Sequence, residues 1–455
     1  MTRLVIVSNR VAQPREARAG GLATAMHSAL SEIGGVWFGW SGTISEACAS
    51  DVHREQVGNI VYATIDLGRE DFDAYYNGFA NRTLWPLFHH RLDLIDYRRG
   101  NYEGYLRVNK LFAQRLAGLI EPDDVIWVHD YHLIPLAQML RELGVGNRIG
   151  FFLHTPLPTG ELMASLPRHR ELFECLPAYD LVGFQTQANL RAFTDYLVRE
   201  DGGRLHADGR LESHSGRRFR ADAFPIGIDV DAVAGAAASA YGRDVIQRFR
   251  TSLLDRVLAI GVDRLDYSKG IPERFEAFAE FLAMHPERHG KVTFLQIAPT
   301  SRSEVPEYRQ IKARLNQLAG SINGEYADPD WVPLRYVNKS FQQGTLAGYY
   351  RLAQIGLVTP FRDGMNLVAK EFVAAQDPDD PGVLVLSRFA GAAHELQGAV
   401  LVNPYDIENV AEAIETALSM PLAQRRERWQ AMMPVLRDND ITAWRTRFLE
   451  QLQGA

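Results

Sequence analysis

Residues 355–376, IGLVTPFRDGMNLVAKEFVAAQ, constrain the fold more tightly than any other stretch of this chain. Ile355 to Pro360 is short, apolar and closed by turn residues, which suits a parallel strand buried on both faces. Phe361-Arg362-Asp363-Gly364-Met365 then breaks the run. Beyond it Leu367, Val368, Phe372 and Val373 recur at helical spacing, so a helix is expected to start at or near Asn366. Strand, Gly-containing turn and helix in succession leave unpaired backbone N–H groups at a positive helix end, a natural seat for a phosphate. Asp363 lies in the turn, where its carboxylate can accept hydrogen bonds from sugar hydroxyls. Glu371, in the second helical turn, can hold the hydroxyls of a ribose. The plain alternative is an ordinary capped strand-to-helix connection, and this stretch alone does not decide.

The same alternation recurs along the chain. Leu4 to Val7 reads as a buried strand, Ser8-Asn9-Arg10 ends it, and a polar loop runs to Gly20-Gly21 before a helical pattern begins at Leu22. The dinucleotide fingerprint G-x-G-x-x-G is absent, but the Gly pair can bring main chain close to a ligand. Val36 to Trp40, Asn59 to Asp66, Asp124 to Asp130, Arg148 to His154 and Leu181 to Thr186 are further strand candidates. Residues 70–119 read as mostly helical and rich in aromatic side chains that belong to a core, although Tyr76 and Trp85 have polar tips suited to a sugar site. Residues 202–220 are polar and suit a surface hairpin. After an Ala-rich transition the strand candidates are Val257 to Val262, Thr293 to Ile297, Leu334 to Val337, Ile355 to Pro360, Val383 to Leu386 and Val400 to Val402. Alternation of this kind implies parallel sheets covered by helices, and 455 residues exceed what one core usually serves. Two domains are expected, with a boundary near residue 230 and small ligands in a cleft between them.

Composition narrows the function. A net charge of −7 argues against nucleic acid as the main partner, so any positive charge for anionic substrates must be local. Cys48 and Cys175 are the only cysteines, which implies no disulfide framework and fits a reducing cytoplasm. The N-terminal apolar run is too short for a signal peptide, and no stretch approaches the roughly 18 apolar residues of a membrane span.

Chemistry-bearing residues gather at strand ends. His129-Asp130-Tyr131-His132 suggests a metal only weakly, because no third ligand follows at a known spacing. A better reading puts Asp130 and His154 at the carboxyl edge of a parallel sheet, where open α/β sheets bind ligands. Asp263-Arg264-Leu265-Asp266-Tyr267-Ser268-Lys269-Gly270 follows a strand and precedes a helix opened by Pro272. Two cations beside exposed N–H donors are what a diphosphate requires; a solvated basic turn is the alternative. Arg302, in Pro299-Thr300-Ser301-Arg302, can clamp a separate phosphate.

These motifs carry a family resemblance. The residues SNR, Trp37 to Gly42, Tyr75-Tyr76-Asn77, Leu84-Trp85-Pro86, WVHDYHL, FFLHTPLPT, RLDYSKG, IAPTSR and TPFRDGMNLVAKE resemble, in order, those of the trehalose-6-phosphate synthase family from Thr2 to about residue 445. The resemblance implies a retaining glycosyltransferase of GT-B architecture, with two facing Rossmann-like domains and the active site in the cleft between them. Residues 1–230 would bind glucose 6-phosphate, residues 231–440 would bind the nucleotide sugar, and a helix over 441–455 would cross back to the first domain. Glucose would pass from a nucleotide sugar, usually UDP-glucose, to glucose 6-phosphate, with no metal or other cofactor. A homo-oligomer, dimer or tetramer, is expected, with no nucleic-acid or membrane partner.

Carried over onto this sequence, the resemblance implies these roles. Arg264 and Lys269 would meet the donor diphosphate, with Gly20 or Gly21 close by. The segment Gly364, Met365, Asn366, Leu367, Val368, Ala369 and Lys370 would complete the cradle, Glu371 would hold the ribose, and Phe341 would border the base. Asp363 and His154 would hold the donor glucose. Arg10, Tyr76, Trp85 and Arg302 would hold the acceptor, and Asp130 would orient its hydroxyls. Thr155 departs from the bulky aliphatic residue often found beside that histidine. No carboxylate reads as a nucleophile, and the resemblance implies same-face attack with proton transfer to the departing diphosphate. A related transferase with another phosphorylated acceptor, a non-catalytic sugar-phosphate sensor and a two-domain dehydrogenase remain as alternatives.

Overall fold

The computed structural model describes residues 3–12, 21–46, 51–300 and 306–454. The chain divides into two compact units, Met1–Ile226 with Thr442–Ala455, and Gly227–Ile441.

In the first unit the strands are β1 (Leu4–Arg10), β2 (Gly35–Ser45), β3 (His53–Val57), β4 (Ile60–Gly68), β5 (Val125–His129), β6 (Arg148–Phe152), β7 (Leu181–Phe184), β8 (Arg204–Leu205), β9 (Leu211–Glu212) and β10 (Arg218–Ala223). They form one sheet in the order β3-β4-β2-β1-β5-β6-β7-β10-β9-β8. The pairs from β4 to β10 are parallel, and β3, β9 and β8 add antiparallel edges. The central strands are continuous apolar runs because both faces are covered. Since β1, β5 and β6 are neighbours, Arg10, Asp130 and His154 all leave the same carboxyl edge.

Two features escape periodicity. The strand expected over 59–66 is β4, but β3 precedes it with every residue exposed, so HREQV carries no apolar signal. Within the expected helical region, Phe72–Leu84 is a π-helix, a rare form frequent at functional sites, and it carries Tyr76. The terminal helix Ile441–Gln453 buries Trp444 and Phe448 against Trp127, with ring centroids 4.8 and 4.6 Å away. Gly150 and Gly183 make room for it: a Cβ on either would come within 2.8 Å of the Phe448 ring.

The second unit holds β11 (Val257–Val262), β12 (Val292–Ile297), β13 (Leu334–Val337), β14 (Ile355–Val358), β15 (Val383–Ser387) and β16 (Val400–Val402). Their order is β13-β12-β11-β14-β15-β16, all parallel. The helix Ile271–Met284 packs Phe275, Phe278 and Phe281 into the core beside Phe294. The order reverses between β11 and β14, and such switch points are where open α/β sheets bind ligands at the carboxyl edge.

One buried cation joins these strand ends. The guanidinium of Arg274, 1% exposed, donates to Asp263 at 2.5 Å, Gln296 at 3.0 Å, Thr359 at 2.9 Å and the Lys269 carbonyl at 3.2 Å. It therefore ties the loop after β11 to β12 and to the end of β14. Burial raises the Asp263 carboxyl above its ordinary range, and the charges of Arg274 and Lys269 oppose the rise. Removing one partner of a buried pair strands the other charge at a typical cost of about 3–5 kcal/mol. Arg274→Met is accordingly expected to lower stability in urea unfolding by about that amount, and adding Asp263→Asn should recover part of the loss. A destabilisation under about 1 kcal/mol for the single change would contradict this role.

Candidate active site

The second unit's candidate residues gather at that switch point. Asp266, fully buried, accepts from the Ser268 backbone at 3.0 Å and its hydroxyl at 2.9 Å, from Tyr308 at 3.0 Å and from Arg264 at 3.1 Å. One carboxylate thus shapes the turn and draws Arg264, whose side chain stays 44% exposed, toward it. Gly270 then takes φ 60, and a Cβ there would meet the Thr359 carbonyl at 2.7 Å. Only glycine both adopts that conformation readily and lets the two loops approach this closely.

The approach brings Lys269 against Asp363, Nζ to Oδ2 at 2.5 Å. Asp363 also accepts from the Asn366 side chain at 3.0 Å. Asn366, in a left-handed conformation with φ 75, caps the helix Leu367–Ala375 by accepting from the Ala369 N–H at 3.2 Å. Asp363 therefore joins the sequence-predicted residues Lys269 and Asn366. Gly364 and Met365 are buried within the turn, and Leu367 and Val368 are partly open. Lys370 faces away: its side chain is fully buried and its Nζ pairs with Glu395 at 2.6 Å, leaving only its main chain toward the helix start. Glu371 is partly open to solvent, yet burial pushes its carboxyl up to about 7. Phe341 follows β13 and packs edge-on against Tyr349 at 5.6 Å.

The first unit's candidate residues gather at the carboxyl edge of β1, β5 and β6. Asp130 takes φ 75 and ψ 165, a conformation that costs a non-glycine residue on the order of 1–3 kcal/mol and that collects at functional sites. Its carboxylate accepts from the His154 N–H at 3.2 Å, and its own N–H donates to the Phe152 carbonyl at 2.8 Å. The His154 Nε2 lies 3.1 Å from the Nδ1 of buried His129. Burial pushes His154 down to about 3 and His129 well below its ordinary value, so both rings are neutral at pH 7. The two neutral rings meet through one N–H···N hydrogen bond, so their tautomers are coupled. The sequence offered His129 only as a weak metal ligand beside His132; its place at the end of a wholly buried strand was the available signal for this role.

Tyr76 stacks on His132 at 5.9 Å and on Phe72 at 5.4 Å. Trp85 is buried against His89 and Tyr131. Arg10 is exposed, its guanidinium 6.0 Å from the Trp40 ring centre and against the Gly42 main chain. Thr155 is buried, and its hydroxyl meets no hydrogen-bond partner among the described residues. Gly20 and Arg302 lie outside the described residues, and Gly21 opens the helix Gly21–Ile33. Chemically, one unit offers cations, a carboxylate and a capped helix start, and the other offers a cation, neutral imidazoles, aromatic faces and a strained aspartate.

Comparison with known proteins places this geometry in a family. The model for Glycosyltransferase family 20 matches residues 3–454. A trehalose-6-phosphate synthase of Sinorhizobium fredii is 54% identical over 100% of this chain and 99% of its own. An α,α-trehalose-phosphate synthase (UDP-forming) of Burkholderia xenovorans, solved in complex with glucose-6-phosphate, superposes with a TM-score of 0.96 at 51% identity, covering 99% of this chain and 100% of that one. A chain from E. coli bound with UDP-2-fluoro glucose superposes with a TM-score of 0.95 at 47% identity, covering 100% and 99%.

The two displaced titrations are directly measurable. In an NMR titration of the ligand-free chain, the resonance lost in Glu371→Gln should titrate near pH 7, as burial dictates. The ring of His154 should stay neutral at pH 5. A Glu371 midpoint below 5, or a His154 midpoint above 6, would contradict the environments described.

Proposed function

The chain belongs to glycosyltransferase family 20, and we propose that it transfers glucose from UDP-glucose to glucose 6-phosphate, giving α,α-trehalose 6-phosphate and UDP. The observation that carries this is the meeting of Lys269, Asp363 and the Asn366-capped helix start at the strand switch, with Arg264 on the adjoining turn.

The bond from the donor's anomeric carbon to the diphosphate oxygen breaks, leaving negative charge on UDP and positive charge on the sugar. Arg264, Lys269 and the N–H groups at Leu367 and Val368 answer the first, and an incoming diphosphate competes with Asp363 for Lys269. Asp363 is thereby released toward the glucose hydroxyls, with His154 as a neutral hydrogen-bonding partner. Glu371 takes the ribose. Arg10, Tyr76, Trp85 and Asp130 hold glucose 6-phosphate, and Arg302 is assigned to its phosphate. The acceptor hydroxyl oxygen bonds to the anomeric carbon from the face the diphosphate leaves, and its proton passes to a diphosphate oxygen, so configuration is retained. Protein cations carry the leaving-group charge in this reading, and no metal enters it. No helix among the described residues is long and apolar enough to cross a membrane. A cytoplasmic reaction and a homo-oligomeric chain complete the reading.

Removing one preorganised donor to a developing anion typically costs about 3 kcal/mol, or roughly 100-fold in rate. Arg264→Ala should therefore lose about 100-fold or more in UDP release with both sugars supplied, while circular dichroism shows the fold retained. Near-normal turnover would overturn the leaving-group role. Trehalose 6-phosphate must also appear as the product; UDP release without it would point to another acceptor. Because a carboxylate can accept from both ribose hydroxyls, UDP affinity should fall about tenfold from pH 8 to pH 6 as Glu371 protonates. Glu371→Gln should abolish that part of the pH dependence.

A further inference from the structure

Three side chains outside this site converge in the first unit. Glu174 caps the carboxyl end of the helix His169–Phe173, Asp201 follows the helix Gln187–Arg199, and His214 lies in the turn between β9 and β10. Their ligand atoms all lie within 4.8 Å of one another. Asp201 is 9% exposed, and its carboxylate oxygens meet no backbone or hydroxyl donor among the described residues. A buried carboxylate served only by another carboxyl group and an imidazole is costly, and a cation is the usual remedy. Its neighbours are the other two members: the His214 Nδ1 at 3.4 Å, with that side chain half exposed, and Glu174. The Glu174 carboxyl is raised first by burial and then by the charge of Asp201 and a hydrogen bond with it, which His214 and Arg170 only partly offset.

We propose that Glu174, Asp201 and His214 bind a divalent cation of the Zn²⁺ type. Carboxylate oxygen and imidazole nitrogen are both zinc ligand types, and three of them leave a fourth position for water. Metal–ligand distances near 2.1 Å put tetrahedral ligand atoms about 3.4 Å apart, so the three groups need to close by roughly an ångström. The exposed turn carrying His214 is the part able to move. The ion would join two helix ends to the β8–β10 edge of the sheet, so its binding free energy would appear as stability of that edge. Nothing in the transfer reaction passes through it.

The test uses the full chain, freed of metal by chelation and titrated with ZnCl₂ by calorimetry at pH 7.5. One site per chain with submicromolar affinity is expected, together with a rise in thermal midpoint. Asp201→Asn should abolish both effects, and His214→Gln, an exposed change that leaves the fold intact, should weaken binding at least tenfold. Co²⁺ in the wild-type site should give a tetrahedral visible spectrum that is absent in His214→Gln. Zn²⁺ binding equal in wild type and His214→Gln would mark an adventitious site elsewhere and overturn the proposal. So would no binding at 100-micromolar ZnCl₂, which would leave Glu174 and Asp201 as a pair sharing a proton.

Discussion

The buried guanidinium of Arg274 is the constraint on which the second unit's chemistry depends. Four acceptors from three segments surround it: Asp263 and the Lys269 carbonyl from the loop after β11, Gln296 from β12, and Thr359 after β14. A charge with no water must be fully paired, so these segments have little freedom to separate. Thr359 ends the strand that leads to Asp363, and Lys269 closes the turn that begins at Asp263. The contact between Lys269 and Asp363 is thus a consequence of a structural ion pair one layer beneath it. Gly270 permits the same approach sterically.

The two half-sites solve different electrostatic problems. In the second unit Lys269 and Asp363 neutralise one another until an anion arrives, which keeps a cation near the helix start without leaving it unpaired. In the first unit desolvation keeps His129 and His154 neutral, so the imidazoles act as dipoles and not as charges. The strain at Asp130 is held by hydrogen bonds to the strand on its far side. A sugar with positive charge developing at one carbon is better served by a carboxylate and neutral dipoles than by a nearby imidazolium.

Much of this was legible in the sequence. Continuous apolar runs marked the parallel strands, and glycine, proline and charge clusters at their ends marked the turns that carry Arg264, Lys269, Asp363 and Asn366. Other features left no such trace. β3 is exposed throughout, so no period distinguishes it from loop. Arg274 stands among Pro272, Glu273 and Glu276 and reads as a surface residue; only the fold turns it inward. Lys370 was included in the cradle by its position in a motif, yet its charge is spent on Glu395, 25 residues away in sequence and buried beside it. His129 was overshadowed by the aspartate that follows it. In each case the deciding fact is a tertiary neighbour, which local spacing does not encode.

The central claim is that Arg264, Lys269 and the Asn366-capped helix start together seat a diphosphate. A crystal structure of the chain with UDP bound tests this most directly. The account predicts the β-phosphate within hydrogen-bonding distance of the Arg264 guanidinium, the Lys269 ammonium and the backbone N–H of Leu367 or Val368, with Lys269 drawn away from Asp363. A bound UDP whose phosphates contact none of these groups, with the Lys269–Asp363 pair intact, would contradict it.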